Sequence, residues 1–240
     1  VTTRYSGGFV QSVSGLGGAT GSSPVDWFYF VNGSEGSKGA ASVRVHPGDR
    51  IWWDRHDWGA AMDVPAVVGS YPEPFLHGLD GKRLPVRIEC APPTVTGCKT
   101  ASDLLGKAGV VAARGGLQAS FTQETLRIVL GLWPAIRTEP AAHQLELGPQ
   151  TSGVFARMAP DGKSLALLDG QGHVTRRLGP GTGLVAATSV EHAKPVWIVT
   201  GTDARGLADA AEALQSGVLR NRFALVTDQG RPISAPDAGR

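Results

Sequence analysis

The segment Val25–Trp53 constrains the fold of this chain more than any other, because an apolar run and a strong turn signal follow each other directly. Trp27–Val31 joins aromatic and β-branched residues, a composition typical of β-strands. Asn32-Gly33 ends the run, and both residues tolerate the positive φ angles that a tight chain reversal needs. The segment is therefore predicted to begin with a strand and a hairpin turn.

Two further strands are predicted in the same segment. In Ala41–His46, Val43 and Val45 would face one way while polar side chains alternate with them. Pro47-Gly48-Asp49 supplies a tight turn, and Ile51–Trp53 follows it as the third strand. The prediction is a three-stranded meander with a wide aromatic face.

The order of these residues resembles the DUF4430 family, in which an aromatic strand ending in V-N-G precedes an alternating strand and then G-D-x-I-x-W. The matching residues are Trp27, Phe28, Tyr29, Val31, Asn32, Gly33, Ala41, Val43, Val45, Gly48, Asp49, Ile51 and Trp53. The family is related to the C-terminal domain of transcobalamin and intrinsic factor. The resemblance therefore implies a β-grasp-like domain over residues 1–90, and it makes a corrinoid or another planar small molecule a candidate ligand. The second half of the chain resembles no family that we recognise.

The composition indicates a globular protein rich in turns. With 41% hydrophobic residues among 240, the chain can bury one large core or two small ones. Its 33 glycines and 16 prolines favour short strands and many turns over a helical bundle. A net charge of +2 without a basic block gives no sign of a nucleic-acid partner.

Two cysteines, Cys90 and Cys98, lie close together in a Pro-rich piece. The intervening Pro92, Pro93 and Gly97 allow a small loop, which favours a disulfide over two free thiols. A metal site is the least supported alternative, because no CxxC pair or nearby histidine supplies further ligands. A disulfide implies an oxidising, extracytoplasmic compartment, and we expect a bacterial cell envelope.

No apolar run approaches the ~20 residues that span a bilayer, so no transmembrane segment is predicted in this chain. A start at Val1, with neither an initiator Met nor a signal peptide, is what a processed protein would show. Any membrane anchor is therefore expected upstream of Val1.

The second half alternates strands with few helices. Asp-Gly turns divide Val154–Leu178 into three short strands, a β-meander. Leu126–Trp133 and Pro195–Thr200 are almost continuously apolar, as strands buried on both faces are. Asp203 is a candidate N-cap of a helix that leads to a last strand at Phe223–Thr227. Together these elements predict a βαβ-like unit, or half of a split one.

We therefore predict an α+β protein of two domains. Residues 1–90 form a mostly antiparallel β-domain, which the strand Leu84–Glu89 closes. Residues 91–99 form a disulfide-closed linker, and residues 100–230 form a mixed α+β domain whose first helix is Ser102–Lys107. Residues 231–240 are polar with Pro and Gly, and they are predicted to be a disordered tail.

The densest polar and aromatic cluster is Asp54–Trp58. On a strand, Asp54 and His56 would lie on one side, and together with Asp57 they are candidates for acid–base or metal chemistry. No HExxH, HxH or G-x-S-x-G spacing accompanies them. The expectation is a protein that is not an enzyme and needs no cofactor.

The residues predicted to contact a ligand are Trp58, Tyr71, Phe75 and His56, since aromatic rings suit stacking against a planar molecule. The alternative for Trp58, Tyr71 and Phe75 is that they only cap the core. The same aromatic edge could instead meet an envelope protein.

Two classes of function follow. The first is a non-catalytic, extracytoplasmic binding protein of the cell envelope, for a corrinoid-like or other planar ligand. The second is a structural surface, adhesion or filament subunit that self-associates through the edges of its β-sheets. A monomer that binds a small molecule favours the first class, and concentration-dependent assembly favours the second.

Overall fold

The computed structural model of the protein describes residues 1–21, 23–92, 95–117, 123–191 and 193–238. The strands are β1 (Thr2–Arg4), β2 (Phe9–Val13), β3 (Leu16–Gly17), β4 (Val25–Val31), β5 (Ser34–Glu35), β6 (Ile51–Asp57), β7 (Val86–Cys90), β8 (Ala112–Gly115), β9 (Leu126–Leu130), β10 (Ala156–Met158), β11 (Leu165–Leu168), β12 (Val174–Leu178), β13 (Thr182–Thr188), β14 (Val196–Gly201), β15 (Ala224–Asp228) and β16 (Arg231–Ala235). The helices are α1 (Val95–Lys107), α2 (Trp133–Ile136), α3 (Pro140–Leu147), α4 (Pro149–Ser152), α5 (Ala204–Glu212) and α6 (Ser216–Leu219), with short 3-10 helices at Ala40–Ser42 and Val68–Ser70. None of the described helices combines the length and the apolar character that crossing a bilayer requires.

A seven-stranded sheet organises the molecule, with the strand order β16-β15-β13-β14-β9-β7-β8. From β14 to β8 the strands run parallel to one another, whereas β13 is antiparallel to both of its neighbours and β16 is antiparallel to β15. The apolar strands β9 and β14 are central in this sheet, and most of their residues are buried. The α+β class with a mixed sheet is confirmed.

The large sheet is the middle of three layers. In β13, Leu184 and Ala186 belong to one core and Val185 and Ala187 to the other, because successive side chains on a strand point to opposite faces. Helices α1 and α5 cover the second face, and α3 and the β10-β11-β12 sheet cover the first. Phe30 of β4 also enters the first core, which anchors the N-terminal part of the chain.

The predicted β-meander and the predicted split unit are both present. β10, β11 and β12 pair in sequence, and the turns between them use Gly162 and Gly172 at φ 73° and 81°. β14 and β15 flank β13, and α5 connects them, which is half of a split βαβ unit. Asp203 caps α5 by accepting a hydrogen bond from the Gly206 N–H at 2.8 Å.

The N-terminal part differs from the prediction in one strand. β4 and its turn are as expected, with Asn32 and Gly33 at φ 53° and 79°. Ala41–His46, however, forms a 3-10 turn and an irregular loop instead of a strand. The reason is that β6 pairs with β4 over its whole length, from Val31 to Val25, and so occupies the edge that the predicted strand would need.

The segment predicted to close the first domain belongs to the large sheet. β7 lies between β9 and β8, and α1 connects β7 to β8. α1 begins at Val95, seven residues before the predicted helix start at Ser102, so Cys98 lies within a helix and not in a linker. Residues 93 and 94 of the predicted linker lie outside the described residues. The predicted disulfide between Cys90 and Cys98 is present, with the Cα atoms 6.1 Å apart.

The predicted disordered tail is wrong for most of its length. Arg231–Ala235 forms β16 at the edge of the large sheet, where Pro232 is tolerated because an edge strand can lack one N–H donor. Asp237 is only 8% exposed, and its carboxylate binds the Thr175 hydroxyl at 2.9 Å and the Arg176 guanidinium at 3.0 Å. Residues 239–240 of that prediction lie outside the described part of the chain.

Candidate functional site

The β4–β6 pair has two faces, because side chains alternate along both strands. The register places Phe30 opposite Trp52, and Tyr29 opposite Trp53. Residues directly opposite each other on antiparallel strands share a face, so the first pair lies on one side and the second pair on the other. We call these the inner face and the outer face.

The inner face packs against the rest of the molecule. Phe223, the residue immediately before β15, lies 5.5 Å from Trp52 and 5.9 Å from Phe30 between ring centroids. His56 stacks on Phe28 at 4.3 Å and meets the edge of Phe223 at 5.1 Å. These contacts attach the N-terminal β-structure to the core, so the inner face has a structural role.

The outer face remains partly open and forms the floor of a groove. Five aromatic residues line it, two glycine-rich segments form its walls, and it encloses about 610 Å³ including its open mouth. The lining residues that define this aromatic groove are Gly8, Phe9, Val10, Trp27, Phe28, Tyr29, Trp53 and Glu35–Ala40. A concave site that combines aromatic rings with polar groups can hold a small molecule.

Hydrogen bonds hold two of the rings in place. The Trp27 indole N–H donates to the Leu16 carbonyl at 2.8 Å, and the Tyr29 hydroxyl donates to the Lys38 carbonyl at 2.5 Å. Tyr29 and Trp53 lie 5.2 Å apart with their planes tilted by 38°. The rings are therefore oriented before any ligand arrives, which lowers the entropic cost of binding.

Glycine is required in the wall of the groove. Gly36 lies directly against the Tyr29 ring, and a Cβ atom there would overlap with that ring. A Cβ atom at Gly39 would likewise overlap with the backbone of Gly8. The wall can lie flat across the floor because neither position carries a side chain.

The charged residues of the lining are Lys38 and Glu35, and the Glu35 side chain points away from the groove. Glu35 is paired with Phe30, which places its side chain on the inner face, and its carboxylate accepts a hydrogen bond from the Val64 N–H at 2.8 Å. Burial raises the pKa of the Glu35 carboxyl to about 7; the charge of Asp63 adds to this, and the Val64 hydrogen bond opposes it. Glu35 therefore titrates near neutral pH.

Two of the residues predicted to contact a ligand are inaccessible. Tyr71 is 2% exposed and Phe75 is 1% exposed, and their rings lie 6.0 Å and 5.0 Å from that of Trp197 in the second core. A buried ring offers no surface to a ligand, so the prediction of contact is wrong for both. Burial also raises the pKa of Tyr71 to about 12.

The other two predicted residues lie outside the groove. His56 binds the Asp54 carboxylate through Nδ1 at 2.9 Å, while its Nε2 atom is buried and has no hydrogen-bond partner among the described residues. The Trp58 indole N–H donates to Asp26 at 3.2 Å. Asp57 accepts from the Gly59 N–H and does not join the Asp54–His56 pair. Within the described residues no group of three or more His, Cys, Asp or Glu side chains could hold a metal ion.

Sequence reasoning missed the groove residues, although a signal was present. Trp27, Tyr29 and Trp53 fall on one side of a predicted strand pair by simple alternation. Only the burial of the inner face by Phe223, a residue distant in sequence, shows which side is left for a ligand.

A search of curated proteins finds no match to this chain. One family model does match, and the part that it covers carries β1 to β6, which include all the aromatic residues of the groove. The family resemblance proposed from the sequence is thereby confirmed for this part, and the remainder stays unrecognised. Residues 1–57 match the family described as "Domain of unknown function (DUF4430)".

Proposed function

We propose that this protein is a non-catalytic binding protein of the bacterial cell envelope, and that it holds a small planar ligand in the aromatic groove. The observation that carries the proposal is the outer face of β4–β6, where Trp27 and Tyr29 are oriented by hydrogen bonds and Trp53 stands beside them. Flat ligands stack favourably on such rings, and rings that are already oriented lose little entropy on binding.

The disulfide supports the extracytoplasmic part of the proposal. Cys90 and Cys98 join the end of β7 to α1, and the described part of the chain contains no free cysteine. Such bonds persist in oxidising compartments and are rare where glutathione keeps thiols reduced.

The resemblance to DUF4430 keeps a corrinoid among the candidate ligands, and the shape of the groove keeps other planar molecules among them. The groove is open on one side, so only part of a ligand would be buried. Each aromatic contact then contributes about 0.5–1.5 kcal/mol beyond the area that it buries, which predicts a modest affinity.

The edges of the large sheet give less support to the assembly alternative. The outer strands are β8 and β16, and β16 carries Arg231 and Pro232. Charged residues and proline on an edge strand oppose pairing with another chain.

The test compares two tryptophan substitutions. Equilibrium dialysis with hydroxocobalamin, and fluorescence titration with the neutral dye phenylnaphthylamine, would be run on the wild type, Trp53→Ala and Trp58→Ala. We expect binding to the wild type, about tenfold weaker binding to Trp53→Ala, and little change for Trp58→Ala, since Trp53 lines the groove and Trp58 does not.

Circular dichroism would confirm that both variants are folded, and gel filtration would report their oligomeric state. Binding of the dye without the corrinoid would keep the planar-ligand function and exclude the corrinoid. If neither probe bound, or if Trp53→Ala bound both as well as the wild type, the groove would not be a binding site. Elution in the void volume without ligand would then favour assembly.

A further inference from the structure

The aromatic groove carries side-chain hydrogen-bond donors that no acceptor among the described residues occupies, and two of them can reach a ligand's polar group. One is the Lys38 ammonium and the other is the indole N–H of Trp53. Two unused donors beside an apolar floor define the chemistry of a ligand more narrowly than the rings do.

Lys38 is an exposed residue in the wall of the groove. Its backbone carbonyl is fixed by the hydrogen bond from the Tyr29 hydroxyl, which holds the origin of the lysine side chain next to the floor. Among the described residues, no carboxylate forms an ion pair with its ammonium group. The positive charge therefore stays available to a ligand.

Trp53 supplies the second donor. Its ring is partly exposed beside Tyr29, and within the described part of the chain its indole N–H finds no protein acceptor. Trp27 differs, because its N–H is occupied by the Leu16 carbonyl. A ligand on the floor would thus meet one open N–H and one ammonium group.

No acidic side chain of the lining cancels this charge. Glu35 is the acidic residue of the lining, but its carboxylate lies on the inner face and accepts from the Val64 N–H. Arg55 adds a second positive charge on the outer face, opposite Trp27, where its Nε atom donates to the Gly17 carbonyl at 2.8 Å.

We propose that the aromatic groove selects planar ligands that carry an anionic group, such as a carboxylate, sulfonate or phosphate, with Lys38 and the Trp53 N–H as its donors. The proposal rests on the binding function proposed above and specifies the class of ligand. The apolar body lies on the rings, and the anionic group lies at the wall.

The test uses two dyes that differ only in charge. Anilinonaphthalene sulfonate carries a sulfonate, whereas phenylnaphthylamine has the same rings without it. Both would be titrated by fluorescence at pH 7.5 against the wild type, Lys38→Met, Trp53→Phe and Lys163→Met. The last variant is the matched control, because Lys163 is an exposed lysine in the turn between β10 and β11, away from the groove.

We expect Lys38→Met to weaken binding of the sulfonate dye about fivefold and to leave binding of the neutral dye unchanged, since one exposed charge contact is lost. Trp53→Phe keeps a ring but removes the N–H, so it should weaken binding of the sulfonate dye by about threefold and binding of the neutral dye much less. Lys163→Met should change neither.

Equal effects of Lys38→Met on both dyes, or no effect on either, would overturn the anionic preference while the binding function stood. If Trp53→Ala lost binding of both dyes while Lys38→Met bound both as the wild type does, the anionic preference would likewise be overturned and the binding function would stand. If neither dye bound to the wild type, the binding function itself would fail, and the anionic preference with it.

Discussion

Replacing Glu35 by glutamine should stabilise the protein at alkaline pH and have a much smaller effect in acid. The Glu35 carboxyl lies under the β4–β6 pair, and burial raises its pKa from 4.5 to about 7. Glutamine keeps an oxygen that can accept the hydrogen bond from the Val64 N–H, but it has no charge to bury. The substitution therefore isolates the cost of ionisation.

The magnitude follows from the pKa difference between the folded and the unfolded chain. Because the folded pKa is raised, the folded state binds this proton more tightly. The corresponding stability is fully present below pH 4.5 and is lost as the pH rises through about 7. A pKa that rises from 4.5 to about 7 corresponds to about 3 kcal/mol, and partial exposure to solvent reduces the expected effect to roughly 2 kcal/mol.

The assay is urea unfolding of the wild type and Glu35→Gln, followed by circular dichroism at several pH values between 4.5 and 8.5. The quantity to plot is the free energy of unfolding of the variant minus that of the wild type. Groups that titrate equally in both proteins cancel in this difference. We expect it to rise by roughly 2 kcal/mol across the range, with most of the change between pH 5 and 7.5.

Glu124→Gln serves as the control with the opposite sign. A hydrogen bond from Lys194 lowers the pKa of Glu124, which is on the surface, so this variant should lose a little stability at neutral pH. A difference between Glu35→Gln and the wild type that stays flat from pH 4.5 to 8.5 would refute the reasoning, because it would mean that burial does not disfavour the Glu35 anion.

Two other perturbations test how the N-terminal β-structure and α1 are attached. Phe223→Ala should lower the free energy of unfolding by about 3 kcal/mol, because the ring packs on Trp52 and Phe30. The tryptophan fluorescence maximum should shift to longer wavelength. Unchanged emission and stability would contradict this packing. Replacing Cys90 and Cys98 together by serine should cost about 2.5 kcal/mol, the value expected for a loop of this length. A reducing agent should destabilise the wild type but not the variant in thermal unfolding.

The local elements of the fold could be predicted because their signals are local. The alternation of Trp27–Val31, the Asn32-Gly33 reversal, the Asp-Gly hairpins and the Asp203 cap each act within a few residues. The structure contains all of them, and the family model covers the first two.

The candidate site was predicted only in part. The sequence indicated an aromatic sheet, but it did not point to Trp27, Tyr29 and Trp53 as the residues of the groove. Of the residues chosen, Tyr71 and Phe75 pack against Trp197 in the core, and His56 and Trp58 lie outside the groove. An aromatic side chain has the same preference for burial in a core as for contact with a ligand, so residue type alone does not separate the two.

The sequence by itself determined most of the strands and helices and most of the turns, with Ala41–His46 and Arg231–Ala235 as exceptions. Only the tertiary structure decided which strands pair with each other and which sheet faces become covered. β6 took the edge of β4 that Ala41–His46 was expected to fill, and β7 joined the large sheet. Phe223 covered one aromatic face and left the other open. These outcomes depend on competition between partners far apart in the chain, and no local pattern of residues encodes which partner wins.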